Sequence, residues 1–191
     1  MDSPAPQTLQ FMVATLNARL QPMHRREFFA DPLDEVIKPL ARCEVSGGGT
    51  MTSREGEVAY CDIEISGPEM GPGDADLIVA TLEKLGAPKG SKLTIESTRE
   101  EIPFGRTEGL AVYLNGTDLP DETYRDCDSN HVYDEFDRLL QDEGRVLSWW
   151  QSPTETAFYM YGRSFEEMKR RLADFIASYP LCARCRLEQV A

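Results

Sequence analysis

The sequence predicts an α+β protein made of two successive βαββαβ units, each an antiparallel sheet with two helices on one face. Short segments alternate apolar and polar residues, as half-buried strands do, and other segments repeat apolar residues at helical spacing. Glycine and proline clusters separate these segments. The order β-α-β-β-α-β occurs twice along the 191 residues. That order is typical of two tandem ferredoxin-like modules.

In the first unit, predicted strands cover 10–18, 44–52, 57–65 and 92–96, and predicted helices cover 31–40 and 75–85. Asp31 is followed by Pro32, which is typical of a helix start, and Asp74 precedes the second helix. The run 47–49 is all glycine but lacks the Gly-Lys-Ser/Thr ending of a phosphate loop. A strand bulge or a close backbone approach is the better interpretation.

In the second unit, predicted strands cover 110–115, 145–151, 156–161 and 182–189, and predicted helices cover 131–142 and 165–178. Ser164 and Glu167 have the spacing of a capping box. The charged segment between the units contains Pro103 and Gly105. We therefore predict a first module over 1–98, a linker over 99–109 and a second module over 110–191.

The acidic composition narrows the class of partner. The formal net charge is −13, which argues against nucleic acid and anionic membranes, because both attract basic surfaces. No apolar run reaches the roughly 18 residues that a membrane span needs. The segment Met1–Pro6 has no basic residue and no apolar stretch, unlike a secretory signal. We expect a cytoplasmic protein whose partner is a basic protein.

Catalytic motifs are missing from the sequence. The two histidines, His24 and His131, accompany no nucleophile-elbow serine or cysteine. His24 lies in a polar loop predicted over 21–27, after the first strand. With Arg25 and Arg26 it forms a basic cluster that either binds an anion or pairs with Glu27 or Asp31. We expect no enzymatic activity and no cofactor.

Five cysteines without an export signal are expected to be reduced thiols. Cys127, His131, Cys182 and Cys185 form a nominal set of zinc ligands. The two pairs are isolated in sequence, and residues three apart on a strand point to opposite faces. We expect no metal site, with zinc at these four residues as the alternative.

Strand alternation assigns the candidate contact residues. Tyr60, Asp62, Glu64 and Glu96 are predicted on the face of the first sheet that no helix covers. An acidic loop and an aromatic hairpin of the second module add Asp118, Asp121, Glu122, Asp126, Asp128, Trp150 and Tyr159. Exposed tryptophan and tyrosine are typical of contact hot spots. The alternative is that the two modules pack together and bury these rings.

These features favour a protein-binding inhibitor. A small acidic protein without catalytic groups suits the neutralisation of a basic toxin enzyme, which is the task of bacterial immunity proteins and antitoxins. The alternative is a regulatory protein that binds a small ligand between the two modules. An enzyme using carboxylates with His24 or His131 is a weaker third hypothesis, because no spacing in the sequence places these groups together.

Overall fold

The computed structural model describes residues 9–41 and 43–191, and it shows an α+β protein with two antiparallel sheets and helices packed against them. Strands β1 to β10 span, in order, Gln10–Leu16, Glu44–Gly47, Thr50–Thr52, Val58–Gly67, Ser91–Ile95, Glu100–Phe104, Glu108–Asn115, Gly144–Gln151, Glu155–Gly162 and Arg186–Gln189. Helices α1 to α6 span Pro22–Arg25, Asp31–Ala41, Pro72–Lys84, Asp121–Asp126, Ser129–Leu140 and Phe165–Ser178.

The first sheet has the order β2-β4-β1-β5-β6, and β3 also pairs with β4. Strand β1 lies between β4 and β5 and runs antiparallel to both. Its residues Ala14 and Leu16 are fully buried, together with Ile63 of β4 and Ile37 of α2, in one apolar cluster. Alternation therefore directs one face of this sheet to α2 and α3, as the sequence predicts.

The second sheet has the order β10-β7-β9-β8, and all its pairs are antiparallel. Leu110 and Val112 of β7 belong to a second cluster with residues of α5 and α6. Their neighbours Ala111 and Tyr113 belong to the first cluster instead. Both faces of the second sheet are therefore apolar, one towards its own helices and one towards the first half of the chain.

The first helical region begins earlier than predicted. Helix α1 starts at Pro22, a π-helical turn over Arg26–Ala30 follows, and α2 continues from Asp31. Asp31 has helical backbone angles (φ −65°, ψ −47°), so it is not the N-cap of a helix that begins there. Proline fits the first helical position because its missing N–H has no partner there, and Phe29 adds a buried contact. The polar segment around His24 was therefore wrongly predicted as a loop.

The predicted linker 99–109 also contains regular structure. Its residues Glu100–Phe104 form β6, which pairs with β5, and β7 starts at Glu108. Gly105 makes the turn between these strands at φ +107°, where a Cβ would lie 1.9 Å from the carbonyl oxygen of Pro88. The charges of this segment suggested solvated chain, but an edge strand can expose its polar residues.

Within 9–41 and 43–191, no helix combines the length and the apolar character needed to cross a bilayer. The segment Met1–Pro6, on which the expectation about export depends, lies outside the described residues.

Candidate functional site

The first feature of the site region is the junction between the two halves. Tyr113, Tyr159 and Tyr161 project from the helix-free face of the second sheet and are at most 4% exposed. They share one apolar cluster with Leu16 and Leu20 of the first half. The first half therefore covers this face of the second sheet, as the internal-packing alternative predicted.

A partly buried polar network crosses this junction and centres on the carboxylate of Glu57. Its Oε1 accepts hydrogen bonds from the hydroxyl groups of Tyr113 at 2.6 Å and Tyr159 at 2.7 Å, and Arg19 donates to the same oxygen. The hydroxyl of Tyr161 accepts from the backbone N–H of Arg19 at 2.7 Å. Two halves of the chain thus share one charged hydrogen-bond network.

Electrostatics favour the ionised form of Glu57. Burial alone would raise its pKa, but the hydrogen bonds from Tyr113 and Tyr159 and the charge of Arg19 lower it overall. The pKa values of both tyrosines are raised, by burial first and by their bonds to Glu57. At neutral pH the network therefore contains a carboxylate, a guanidinium and neutral phenols. This combination suits a structural role in holding the two halves together.

Tyr159 must be removed from the predicted contact surface, because it is 1% exposed inside the junction. Trp150 is partly buried and packs against the same cluster. Alternation correctly grouped these two aromatic residues on one face. What covers that face is the first half of the chain.

The helix-free face of the first sheet is different, because it is open. We call it the open sheet face; its outward side chains include Val13, Thr15, Tyr60, Asp62, Glu64, Lys92, Thr94, Glu96 and Glu101. Most of these residues line one shallow depression. The structure therefore brings together four predicted contact residues, namely Tyr60, Asp62, Glu64 and Glu96.

Carboxylates outnumber cations on the open sheet face. Lys92 pairs with Glu101 at 2.6 Å and Arg99 pairs with Glu96 at 2.7 Å. Asp62 accepts a hydrogen bond from the hydroxyl of Thr15 at 2.7 Å, while Glu64 is exposed. The face therefore offers negative charge next to the half-buried ring of Tyr60.

The predicted acidic loop folds partly as a helix. Its residues Asp121, Glu122 and Asp126 lie on α4, and Asp128 accepts from the N–H of Asn130 as the N-cap of α5. Asp118 accepts a hydrogen bond from Asn115. Asp126 accepts from Arg125 at 2.9 Å. Helix capping and local hydrogen bonds thus account for three of the five carboxylates. This segment belongs to the second half and lies apart from the open sheet face.

The triple glycine has a packing role. A Cβ on Gly48 would lie 2.3 Å from the carbonyl oxygen of Asp62, and Gly49 exchanges backbone hydrogen bonds with Asp62 at 2.9 and 3.1 Å. The predicted close backbone approach is confirmed. In the neighbouring basic cluster, Arg26 pairs with Asp31 at 3.0 Å, as the salt-bridge interpretation predicted.

A second concave region lies where the two halves meet beside β8. We call it the junction cavity; its volume is about 400 Å³, and its lining includes His24, Glu27, Phe28, Tyr133, Ser148 and Trp149. The first three come from α1 and the following turn, Tyr133 comes from α5, and the last two come from β8. It is a depression shared by both halves, as a ligand site between modules requires.

His24 and Ser148, which both line the junction cavity, form a polar contact. Nδ1 of His24 lies 2.9 Å from Oγ of Ser148, and the N–H of Gln21 donates to the same Oγ at 3.3 Å. Ser148 is only 1% exposed, so an approaching substrate cannot reach its oxygen. Burial lowers the pKa of His24, against a smaller opposing effect of Glu27. The pair thus provides a neutral, ordered wall and lacks the access that a nucleophile needs.

The nominal zinc ligands do not assemble. Across 9–41 and 43–191, no group of three or more histidine, cysteine or acidic residues has the geometry to hold a metal ion. The ring of His131 packs instead against Phe175 and Tyr179, with centroids 5.8 and 5.1 Å apart. Cys182 is buried, and burial raises the pKa of its thiol to about 12, which disfavours the thiolate that metals bind.

Comparison with known proteins does not assign a family. No family model and no curated protein matches the sequence. Among solved structures, the first two RRM domains of the yeast poly(U)-binding protein Pub1 are 15% identical, with 94% of this chain and 99% of that chain covered and a TM-score of 0.28. A protein provisionally described as a glycine cleavage system transcriptional repressor is 13% identical, with 95% and 97% covered and a TM-score of 0.33. Such scores carry no argument about activity.

Several residues of these sites were missed from the sequence. Arg19, Glu57 and Ser148 belong to no motif, and each lies far along the chain from its partner. Phe28 lies between the predicted loop and the helix predicted over 31–40, and it was assigned to neither. Only the hairpin residues Trp150 and Tyr159 pointed towards the junction, since period-two alternation places them on one face of the sheet.

Proposed function

We propose that this chain is an acidic protein-binding inhibitor of the immunity-protein or antitoxin type, made of two tandem ferredoxin-like modules and acting in the cytoplasm. The repeated strand order supports the tandem assignment. In the first sheet β1 lies between β4 and β5, and in the second sheet β7 lies between β9 and β10. In both predicted units, the first strand therefore lies between the third and the fourth. The target would be a basic enzyme.

The single observation that carries the proposal is the open sheet face. Both faces of the second sheet are covered. In the first sheet, helices cover one face and leave the other open. Its free face presents Asp62, Glu64 and Glu96 beside Tyr60, and Phe11 on the same side of β1 is 43% exposed. An apolar patch with a carboxylate surround is complementary to a basic surface that has an apolar centre.

Charge and aromatic contacts serve different steps of such binding. A net charge of −13 accelerates encounter with a basic partner and makes association sensitive to salt. Buried aromatic anchors then slow dissociation. Tyr60 is the candidate anchor because it lies among the carboxylates of the open sheet face.

The test uses two double variants with equal charge changes. Asp62→Lys with Glu64→Lys alters the open sheet face, and Glu166→Lys with Asp174→Lys alters exposed positions of α6. Each protein is used to capture partners from native lysate at low and moderate salt, and captured enzymes are assayed with and without added protein.

We expect the wild type and the α6 variant to hold the same basic protein and to inhibit it, with salt weakening the complex. The Asp62/Glu64 variant should lose both binding and inhibition by at least about tenfold, which corresponds to about 1.4 kcal/mol. Equal capture by both variants would refute the role of the open sheet face.

A second candidate function is a regulatory protein that binds a small ligand between its halves. The junction cavity favours it, since about 400 Å³ lies within the range of small-molecule sites. This candidate predicts saturable binding of a small molecule that is insensitive to changes on the open sheet face.

A further inference from the structure

The junction cavity has aromatic walls from three elements of the fold. Phe28 follows α1, Tyr133 lies on α5, and Trp149 lies on β8. Trp149 is 41% exposed, whereas the adjacent Trp150 is partly buried against the first apolar cluster. The register shift between Val146 and Ser148 accompanies this arrangement. The ring of Trp149 thus borders the cavity and belongs to neither apolar cluster.

Charges around these rings are mainly negative. Glu27 lines the cavity directly. Burial raises the pKa of Tyr133, Asp137, Glu27 and Asp134 raise it further, and Arg145 opposes them. His24 adds no positive charge at neutral pH, because burial lowers its pKa.

The aromatic wall already contacts a cation on one side. The guanidinium carbon of Arg145 lies 5.3 Å from the centroid of the Phe28 ring, within the distance at which the ring quadrupole attracts positive charge. The electron-rich faces of tyrosine and tryptophan provide the same attraction. A carboxylate at the edge of such rings adds charge selectivity.

We infer that the junction cavity binds a small organic cation, with a guanidinium or alkylammonium group held between the aromatic walls and the carboxylate of Glu27. This inference deepens the second candidate function and rests on it. It does not depend on the open sheet face. The cavity wall formed by His24 and the buried Ser148 adds no positive charge of its own at neutral pH.

The probes are Nα-acetyl-arginine amide, Nα-acetyl-lysine amide and the neutral isostere Nα-acetyl-citrulline amide. The chain has two tryptophans, so Trp150→Phe leaves Trp149 as the only tryptophan fluorophore. The indole resonances of the wild type provide a second measurement that requires no substitution in the core. The variants are Glu27→Gln and, as a matched control, Glu64→Gln on the open sheet face.

We expect saturable changes at Trp149 with a cationic probe and at least about tenfold weaker binding of the citrulline derivative. Glu27→Gln should weaken cation binding at least about threefold, and Glu64→Gln should leave it unchanged. The arginine and lysine derivatives distinguish a guanidinium from an ammonium ligand. Equal binding of the neutral isostere, no saturation by either cation, or no effect of Glu27→Gln would overturn the inference. Protein capture through Asp62 and Glu64 would be unaffected by any of these outcomes.

Discussion

At the scale of single residues, Glu57 joins parts of the chain that are far apart in the sequence. Its carboxylate lies in the turn before β4 and accepts from Arg19, which follows β1, and from two tyrosines of the second sheet. Removing this carboxylate would leave phenolic hydroxyls and a guanidinium without their acceptor. Tyr113 and Tyr159 are buried, and a buried hydroxyl costs more when unpaired than its bond contributes when formed.

We predict that Glu57→Ala lowers the free energy of unfolding by about 2 kcal/mol at neutral pH, measured by urea denaturation. The folded-state pKa of Glu57 is lowered, so its ionised form stabilises the fold above the unfolded-state pKa of about 4.3. That contribution is lost as the pH falls through the folded-state value. The difference between wild type and variant should therefore shrink in acid. The exposed control Glu64→Ala should change stability by less than about 0.5 kcal/mol, and an equal effect of the two substitutions would contradict the role given to Glu57.

At the scale of elements, the edge formed by β2 and β3 depends on a residue without a Cβ. Gly48 lies against the carbonyl oxygen of Asp62 in the neighbouring strand. We predict that Gly48→Ala destabilises the protein by about 2 kcal/mol, because the strand must move away and loses ladder hydrogen bonds. Gly73→Ala in the first turn of α3 is the control, since a Cβ there meets nothing within 4 Å. It should leave the thermal midpoint unchanged or slightly raised. A neutral Gly48→Ala variant would show that this edge adapts freely.

Local patterns predicted the elements well where the signal lies within one segment. Helix α6 has the predicted bounds, because Ser164 caps it and Tyr179 precedes a proline. The junction could not be predicted in this way. Arg19, Glu57 and Tyr159 are each dozens of residues apart. Alternation within one strand does not indicate which distant element will pack on a given face of its sheet. For the same reason, the aromatic residues of the β8–β9 hairpin were equally consistent with a partner surface and with packing between the two halves.

At the scale of the whole molecule, the shared apolar cluster predicts that both halves unfold together. Both tryptophans lie on β8 of the second sheet, so their fluorescence follows that half, while far-UV ellipticity follows both halves. In the wild type the two signals should give one midpoint in urea. Ala157→Asp places a carboxylate at a fully buried position of the apolar cluster that both halves share. An unpaired charge is strongly unfavourable there. It should separate the two midpoints.

The same substitution at the exposed position Ala173 of α6 is the matched control and should keep the midpoints together. If Ala157→Asp abolished folding entirely, the wild-type experiment would still decide the question, because independent halves would give two midpoints without any substitution. Coincident transitions would mean that the open sheet face and the junction cavity belong to one cooperative unit. Binding at either site would then stabilise the whole chain, since a ligand that binds only the folded state shifts the common equilibrium.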